Sequence, residues 1–275
     1  MKWDGHSHTQ YCYHGSHLDL RDYLKKAVDL GFDRYSVTEH PPLPEGWIKD
    51  EELMRELAMP EWQMPEYVDY VQRCQEDFRD DLEVVLGLEL DYLPGREGYT
   101  LDLVDKWREQ LNDVVVSVHY LPGVAGMRCI DLSPEDFQAG LLAYYGSMEQ
   151  IIEEYFNQVE AAIDFAAQLP MRKRIGHINL IEKFRLVLPA IDEMQVTRRL
   201  KRLVPKLLTT GVGVDVNTAG LRKRTCHKAY VPVWFMEECI VQGIECVYGS
   251  DAHHPDDVGA GYDWFEEVQA AFDSD

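Results

Sequence analysis

Positive charge is scarce in this sequence. Against 49 Asp and Glu stand 27 Lys and Arg in 275 residues, a formal net charge of −22. Nucleic-acid binding rests on basic surfaces that release counterions from phosphates. No Lys/Arg stripe of that kind is present, so nucleic acid is not an expected partner. An anionic membrane surface is excluded on the same ground. The longest apolar runs fall far short of the roughly 20 residues of a membrane span. The opening Met1-Lys2-Trp3-Asp4 lacks the apolar stretch of a secretory signal. Cysteine is sparse and scattered, at positions 12, 74, 129, 226, 239 and 246, with no Cys-x-x-Cys pair. A chain of this size needs no disulfide staples, so the six read as reduced thiols of a cytoplasmic protein. There is no Gly-x-Ser-x-Gly elbow, no Walker loop and no Gly-x-Gly-x-x-Gly after a strand. Neither repeat, low-complexity tract nor linker divides the chain, and residues 1–275 are read as one domain.

What remains is a patterned globular sequence, 45% hydrophobic. Seven short β-rich runs stand out, at about Lys2–His6, Arg34–Thr38, Glu83–Leu88, Val114–Val118, Arg174–His177, Val212–Val216 and Glu245–Tyr248. Between them lie stretches with apolar residues at helical spacing: Leu20–Leu30, Tyr67–Phe78, Leu101–Leu111, Met148–Leu169, Gln195–Leu208, Val231–Val241 and Trp264–Phe272. Strands alternating with helices predict a parallel sheet. Seven such units predict a closed β/α barrel, with an open doubly wound sheet as the alternative.

The strand exits carry the functional signal. The first run leads into His6-Ser7-His8, the second ends at Glu39-His40, the third at Glu89 and the fourth at His119. The fifth carries His177, the sixth leads to Asn217, and the seventh ends at Asp251-Ala252-His253. In a β/α barrel these ends converge on one face, where active sites form. The chain has only ten His, so this placement is not compositional noise. In an extended strand His6 and His8 would point to opposite faces; a bend after His6 lets both reach one ion. His and carboxylate donors suit zinc, manganese or iron. The set exceeds the three protein ligands of an ordinary catalytic zinc, which argues for two or three divalent ions, with Glu89 as a bridging carboxylate. Paired ions share and activate a water and neutralise phosphoryl charge. Arg185 and Arg222, near the exits of the fifth and sixth runs, are candidate phosphate donors. A small phosphorylated substrate is itself an anion, so an acidic chain needs such a local positive field. The bland readings are a helix cap for Glu89 or Asp251, a ligand-orienting carboxylate for Glu39, a turn for Asn217 and surface ion pairs for the arginines.

The motifs Asp4-Gly5-His6-Ser7-His8-Thr9, Thr38-Glu39-His40, Gly87-Leu88-Glu89, Ser117-Val118-His119-Tyr120, Gly176-His177 and Gly249-Ser250-Asp251-Ala252-His253 resemble, in order and over nearly the whole chain, the PHP (polymerase and histidinol phosphatase) superfamily. The resemblance implies a distorted (β/α)7 TIM-like barrel with a trinuclear site at the C-terminal ends of the strands. Carried over by motif, the first ion takes His6, His8, Glu89 and Asp251. The second shares Glu89 and adds His119 and His177. The third takes His14, His40 and His253. His17, His227 and His254 fall outside. The segments His177–Arg185 and Asn217–Lys223 resemble the histidinol-phosphate phosphatase branch, in which two arginines matching Arg185 and Arg222 hold the phosphate; Ala219 stands where that branch usually has Ser. The implied reaction is hydrolysis of L-histidinol phosphate in histidine biosynthesis, with Glu89 at the reacting centre and Asp251 or His253 passing a proton to the leaving group. Other phosphomonoesters, a phosphodiester or nucleotide, amide hydrolysis of the amidohydrolase kind, and a metal-binding protein without turnover are the rival readings. The sequence leaves the oligomeric state open.

Overall fold

The computed structural model describes residues 1–272. In chain order its strands are β1 (Trp3–Asp4), β2 (Arg34–Glu39), β3 (Glu83–Asp91), β4 (Asp113–Ser117), β5 (Tyr120–Gly123), β6 (Gly126–Cys129), β7 (Arg172–Ile175), β8 (Gly213–Asn217) and β9 (Cys246–Gly249). The helices are α1 (Leu20–Asp29), α2 (Glu51–Leu57), α3 (Met64–Phe78), α4 (Glu97–Trp107), α5 (Pro134–Phe137), α6 (Ala143–Tyr145), α7 (Met148–Ala166), α8 (Glu193–Thr210), α9 (Ala219–Arg222), α10 (Val233–Val241) and α11 (Tyr262–Phe272). Seven strands form one parallel sheet in the order β1-β2-β3-β4-β7-β8-β9, while β5 and β6 make a separate antiparallel hairpin. Spatial order follows chain order, as successive strand–helix–strand units produce.

The two edges meet. Gly5 N–H donates to the Tyr248 carbonyl (2.8 Å), Asp251 N–H to that of His6 (2.8 Å) and His8 N–H to that of Ala252 (3.0 Å). A parallel bridge between Ser7 and Ala252 completes the seam. The expected barrel is therefore nearly closed, and the open doubly wound alternative is discarded. The first strand is shorter than the expected Lys2–His6, ending at Asp4, and Gly5 N–H bonds the Tyr248 carbonyl across the seam. His6 and His8 lie beyond the regular strand, and both turn Nε2 to Glu89.

Local chemistry sets the element ends. The carboxylates of Asp19, Asp50 and Asp192 accept backbone N–H groups at the starts of α1, α2 and α8, as N-caps do. α8 stops at Gly211, whose φ of 66° suits a glycine. α7 buries Ile151, Ile152, Tyr155, Phe156 and Val159 in the main core. A second, smaller cluster of Trp47, Ile48, Leu93, Tyr120 and Cys129 joins Leu53 and Leu57 of α2 to the β5–β6 hairpin. Thus α2 and the β5–β6 hairpin are packed on each other. No helix among the described residues is long and apolar enough to cross a membrane.

A buried ion pair spans the barrel interior. Arg174, fully buried, donates to both Asp113 oxygens (2.7 and 2.8 Å) and to the Gly5 carbonyl (2.8 Å). Asp113 also accepts Ser36 Oγ–H (2.6 Å), and Ser36 accepts the Trp3 indole N–H (3.0 Å). One network thus ties β1, β2, β4 and β7. Arg174→Met strands the Asp113 charge and is expected to destabilise by about 3–5 kcal/mol. Arg174→Met with Asp113→Leu recovers most of that. Denaturant unfolding of both variants checks it; equal losses would refute the pairing.

Asp4 sits on the closure seam, its Oδ1 accepting Ser250 N–H (3.0 Å). Burial raises its pKa to about 6, hydrogen bonds from Ser250 opposing. A raised acid stabilises the fold fully below its unfolded value and loses that contribution as pH rises through the folded one. In the metal-free protein, Asp4→Asn should therefore gain in melting midpoint relative to the parent as pH climbs from about 4 to about 7. Parallel midpoints over that window would exclude a titrating Asp4.

Candidate metal centre

The strand exits deliver their side chains to one place. Glu89 lies at its middle, 1% exposed. Its Oε2 faces His6 Nε2 (3.1 Å), His8 Nε2 (3.4 Å) and His40 Nδ1 (3.4 Å). Its Oε1 faces His177 Nε2 (2.9 Å) and His119 Nε2 (3.5 Å), and accepts Ser117 Oγ–H (2.6 Å). One carboxylate therefore has an oxygen for each of two histidine sets. Asp251 closes the first set, its Oδ1 lying 3.3 Å from His8 Nε2 and 3.9 Å from His6 Nε2. On the outer side His253 Nε2 meets His14 Nε2 at 3.2 Å, and His40 stacks on His8 at 4.4 Å between ring centres. All nine sequence-predicted ligand residues are thus brought together. His17, His227 and His254 stay at the exposed surface.

Most of the imidazoles are held from behind. Asp215 Oδ2 takes His6 Nδ1 at 2.8 Å, Glu39 Oε1 takes His8 Nδ1 at 3.1 Å and Asp91 Oδ1 takes His119 Nδ1 at 2.7 Å. The Glu56 carbonyl of α2 takes His14 Nδ1 at 2.9 Å. Each bond leaves Nε2 for the centre, the arrangement that orients metal-bound histidine. Asp215 also accepts the His177 backbone N–H (3.1 Å) and the Asn217 amide (3.2 Å). Asn217 in turn donates to Asp251 Oδ2 (3.2 Å). Two glycines are required by this packing. A Cβ at Gly249 would collide with Asp215 Oδ1, and one at Gly176 with Ser117 Oγ. His177 and Asp251 have φ of 21° and 52°. Backbone held in this region stores strain that the surroundings must over-determine, as active sites do.

Charge follows the same plan. Burial works against ionising Glu89 and Asp251, yet the imidazoles prevail and hold both carboxyls well below their usual range. For Glu89 these are His6, His119 and His40, and for Asp251 they are His6, His8 and His253. Burial, with the charge of His8, holds His40 and His253 well below the ordinary histidine value, which keeps them as neutral donors.

These residues fit divalent ions. The Nε2 atoms of His6 and His8 are buried without a hydrogen-bond partner among the described residues. Nitrogen atoms on one tetrahedral zinc lie roughly 3.3 Å apart, given bonds of about 2.0–2.1 Å; His119 and His177 Nε2 lie 3.1 Å apart. Donor atoms gather in three groups: His6, His8 and Asp251; Glu89, His119 and His177; and His8, Cys12, His40 and His253.

The centre opens into a cavity of about 290 Å³, walled by Leu53, Glu56 and Leu57 of α2, by Tyr120, Cys129, Asp131 and Leu132, and by Lys183, Lys223 and Tyr230. Arg185 and Arg222 do not line it. Arg185 turns to Glu182 and Glu193 (3.6 and 3.5 Å). Arg222 donates to the Asp251 carbonyl (2.9 Å) and pairs with Asp257 (3.3 Å). The cations on the wall are two lysines. Lys183 is fixed by Asp131 at 2.8 Å; burial opposes its charge, but Asp131 raises its pKa. Burial and the Lys183 charge lower that of Lys223. Sequence reasoning missed Lys183 and Lys223 because lysine has no fixed spacing to a strand exit. It also missed Asp91 and Asp215, although Asp91 lies two residues beyond Glu89 on the same face of β3.

Asp215 is the shared support of two strand exits. Asp215→Ala is expected to weaken ion binding by about 10–100-fold, measured by competition with a chromophoric chelator. Unchanged affinity would refute the role.

A model of the PHP domain matches residues 4–219. The histidinol-phosphatase of Bacillus subtilis (strain 168) is 32% identical over 267 residues, which span 97% of this chain and 99% of that one. The crystal structure of HisK from Listeria monocytogenes superposes with a TM-score of 0.91 at 33% identity, covering 96% of this chain and 100% of that one. Histidinol phosphate phosphatase from Lactococcus lactis, crystallised with zinc, L-histidinol and phosphate, shares the fold at a TM-score of 0.72 and 15% identity, over 97% and 93% of the two chains. With its motifs at the barrel mouth and these matches along its length, the chain belongs to the PHP domain family, in the histidinol-phosphatase group.

Proposed function

We propose that this protein is a metal-dependent phosphomonoesterase that hydrolyses L-histidinol phosphate to L-histidinol and phosphate. The observation that carries the reading is Glu89, one buried carboxylate with an oxygen turned to each of two histidine sets. In our assignment His6, His8, Glu89 and Asp251 hold one ion, Glu89, His119 and His177 a second, and His14, His40 and His253 a third. Zinc, present in the Lactococcus lactis complex, suits these donors, as do manganese and iron. Bound divalent ions would supply Lewis-acid charge and lower the pKa of water.

The chain's own residues do the rest. We place the phosphate between the centre and Lys183 and Lys223, the cations of the cavity wall, rather than on Arg185 and Arg222. Arg222 then acts indirectly, by fixing the backbone of Asp251. Asp251 and His253, 3.3 Å apart at the cavity, are the groups placed to pass a proton to the leaving alkoxide. Tyr120, Leu53, Leu57 and Leu132 offer apolar walls for the organic part of the substrate. A lysine pair matches the negative charge of a phosphate ester, which a neutral amide lacks. Six free thiols suit a reducing compartment, and we place the enzyme in the cytoplasm.

The test is phosphate release from L-histidinol phosphate against other phosphomonoesters and a phosphodiester, on protein with its metals quantified. Preference for histidinol phosphate, lost on chelation and restored by zinc or manganese, is the expected result; activity only on other esters discards the substrate. Lys223→Ala should lower kcat/KM roughly hundredfold with ion content intact. Full activity in that variant would remove Lys223 from phosphate binding.

A further inference from the structure

Cys12 is the buried thiol at this site that the proposed reaction leaves unused. It is 2% exposed, yet it does not belong to an apolar cluster, whereas the buried Cys74, Cys129, Cys226 and Cys239 do. Its neighbours are imidazoles. The donor atoms of His8, Cys12, His40 and His253 all lie within 4.8 Å of one another. Of these, His8 has its Nδ1 taken by Glu39 and its Nε2 turned to Glu89 and Asp251, so it belongs to the inner ion and leaves Cys12, His40 and His253 for the outer one.

The turn that presents Cys12 is tightly tied. Cys12 N–H donates to the Thr9 carbonyl (3.1 Å), Gly15 N–H to that of Cys12 (3.0 Å) and Ser16 N–H to that of His253 (2.9 Å). Gly15 packs so closely that a Cβ there would touch Cys12 Cβ at 3.3 Å and the His253 carbonyl at 3.4 Å. The loop therefore presses Cys12 towards His253. Cys12, His40 and His253, with His14 beside His253, supply one sulfur and three nitrogens, the set of a tetrahedral site in which metal–sulfur bonds are about 2.3 Å and metal–nitrogen bonds about 2.0–2.1 Å. Gathering the donors to those lengths takes a contraction of about 1 Å.

We infer that Cys12 Sγ is a ligand of the outer ion, beside His40 and His253, and that this position takes a thiophilic divalent ion. When the ion enters, the S–H bond breaks, the sulfur–metal bond forms and the proton leaves to solvent. Thiolate is a soft donor, so the position favours zinc or ferrous iron over manganese. His14, which meets His253 from the exposed side, completes the ligand set from solvent.

The inference rests on the metal-centre reading above, and its test separates the two. Cobalt(II) is loaded into the metal-free protein, and the near-ultraviolet sulfur-to-cobalt charge-transfer band is recorded beside the number of ions bound. The band is expected in the parent, lost in Cys12→Ser and kept in Cys129→Ser, a cysteine of the cavity wall. Zinc-edge X-ray absorption of the parent, which needs no variant, should show a sulfur neighbour at about 2.3 Å. Ions bound with nitrogen and oxygen neighbours alone overturn the inference and leave the phosphatase reading standing. A band that survives Cys12→Ser or vanishes in Cys129→Ser also overturns it. A protein that takes up no ion overturns both.

Discussion

The arrangement turns on a single buried negative charge. Glu89 has five imidazoles within 3.5 Å of its two oxygens. An isolated carboxylate at this depth would cost several kcal/mol and would take up a proton instead. The imidazoles prevent that, so the group stays a divalent donor. The converse also holds. Histidines packed at ring distances of 4.0–5.9 Å would repel one another if protonated, and the carboxylates offset that: although burial opposes it, Glu89, Asp215 and Asp251 hold His6 well above the ordinary histidine value. Glu89 is therefore both the electrostatic keystone of the centre and placed to join two ion sites.

The barrel makes this placement reproducible. Strand ends are fixed by backbone pairing, and a second tier of carboxylates fixes the rings. Asp215 serves β1, β7 and β8 at once through His6, the His177 amide and Asn217. Below it Arg174 and Asp113 neutralise each other and bring β1, β4 and β7 together. The positive φ of His177 and Asp251 is the local cost of turning side chains inward within two residues of a strand end. Gly176 and Gly249 just upstream leave the room for that turn.

Much of this was legible in the sequence, because the signals are local. Alternation of strand and helix patterns located every strand of the barrel to within a few residues. The His and acidic residues at the strand exits announced their convergence through the fold rule alone. Long-range information was harder to read. The short α2 and the β5–β6 hairpin are stabilised by packing on each other, through Trp47, Tyr120 and Cys129, and such mutual support leaves no periodic trace. Lysine reach is another blind spot. Lys183 follows Leu180–Glu182, a single 3-10 turn, and that turn faces it to Asp131 and the cavity while Arg185, two positions on, faces Glu182 and Glu193. In the proposed binding mode, that difference of side-chain direction moves the phosphate contact from Arg185 to Lys183.

The net charge of −22 bears on how an anionic substrate reaches the site. An anionic substrate approaches a surface that repels it, and the repulsion decays over a Debye length of about 8–10 Å at ordinary salt. Binding then depends on what lies inside that screen: Lys183, Lys223 and the cations of the centre. Of these the two lysines are few and partly offset, since Asp131 already balances Lys183. The ions must carry most of the attraction. In the proposed binding mode, an emptied centre would leave a phosphate only Lys183 and Lys223 inside that screen, so that ion occupancy would govern substrate binding as well as chemistry.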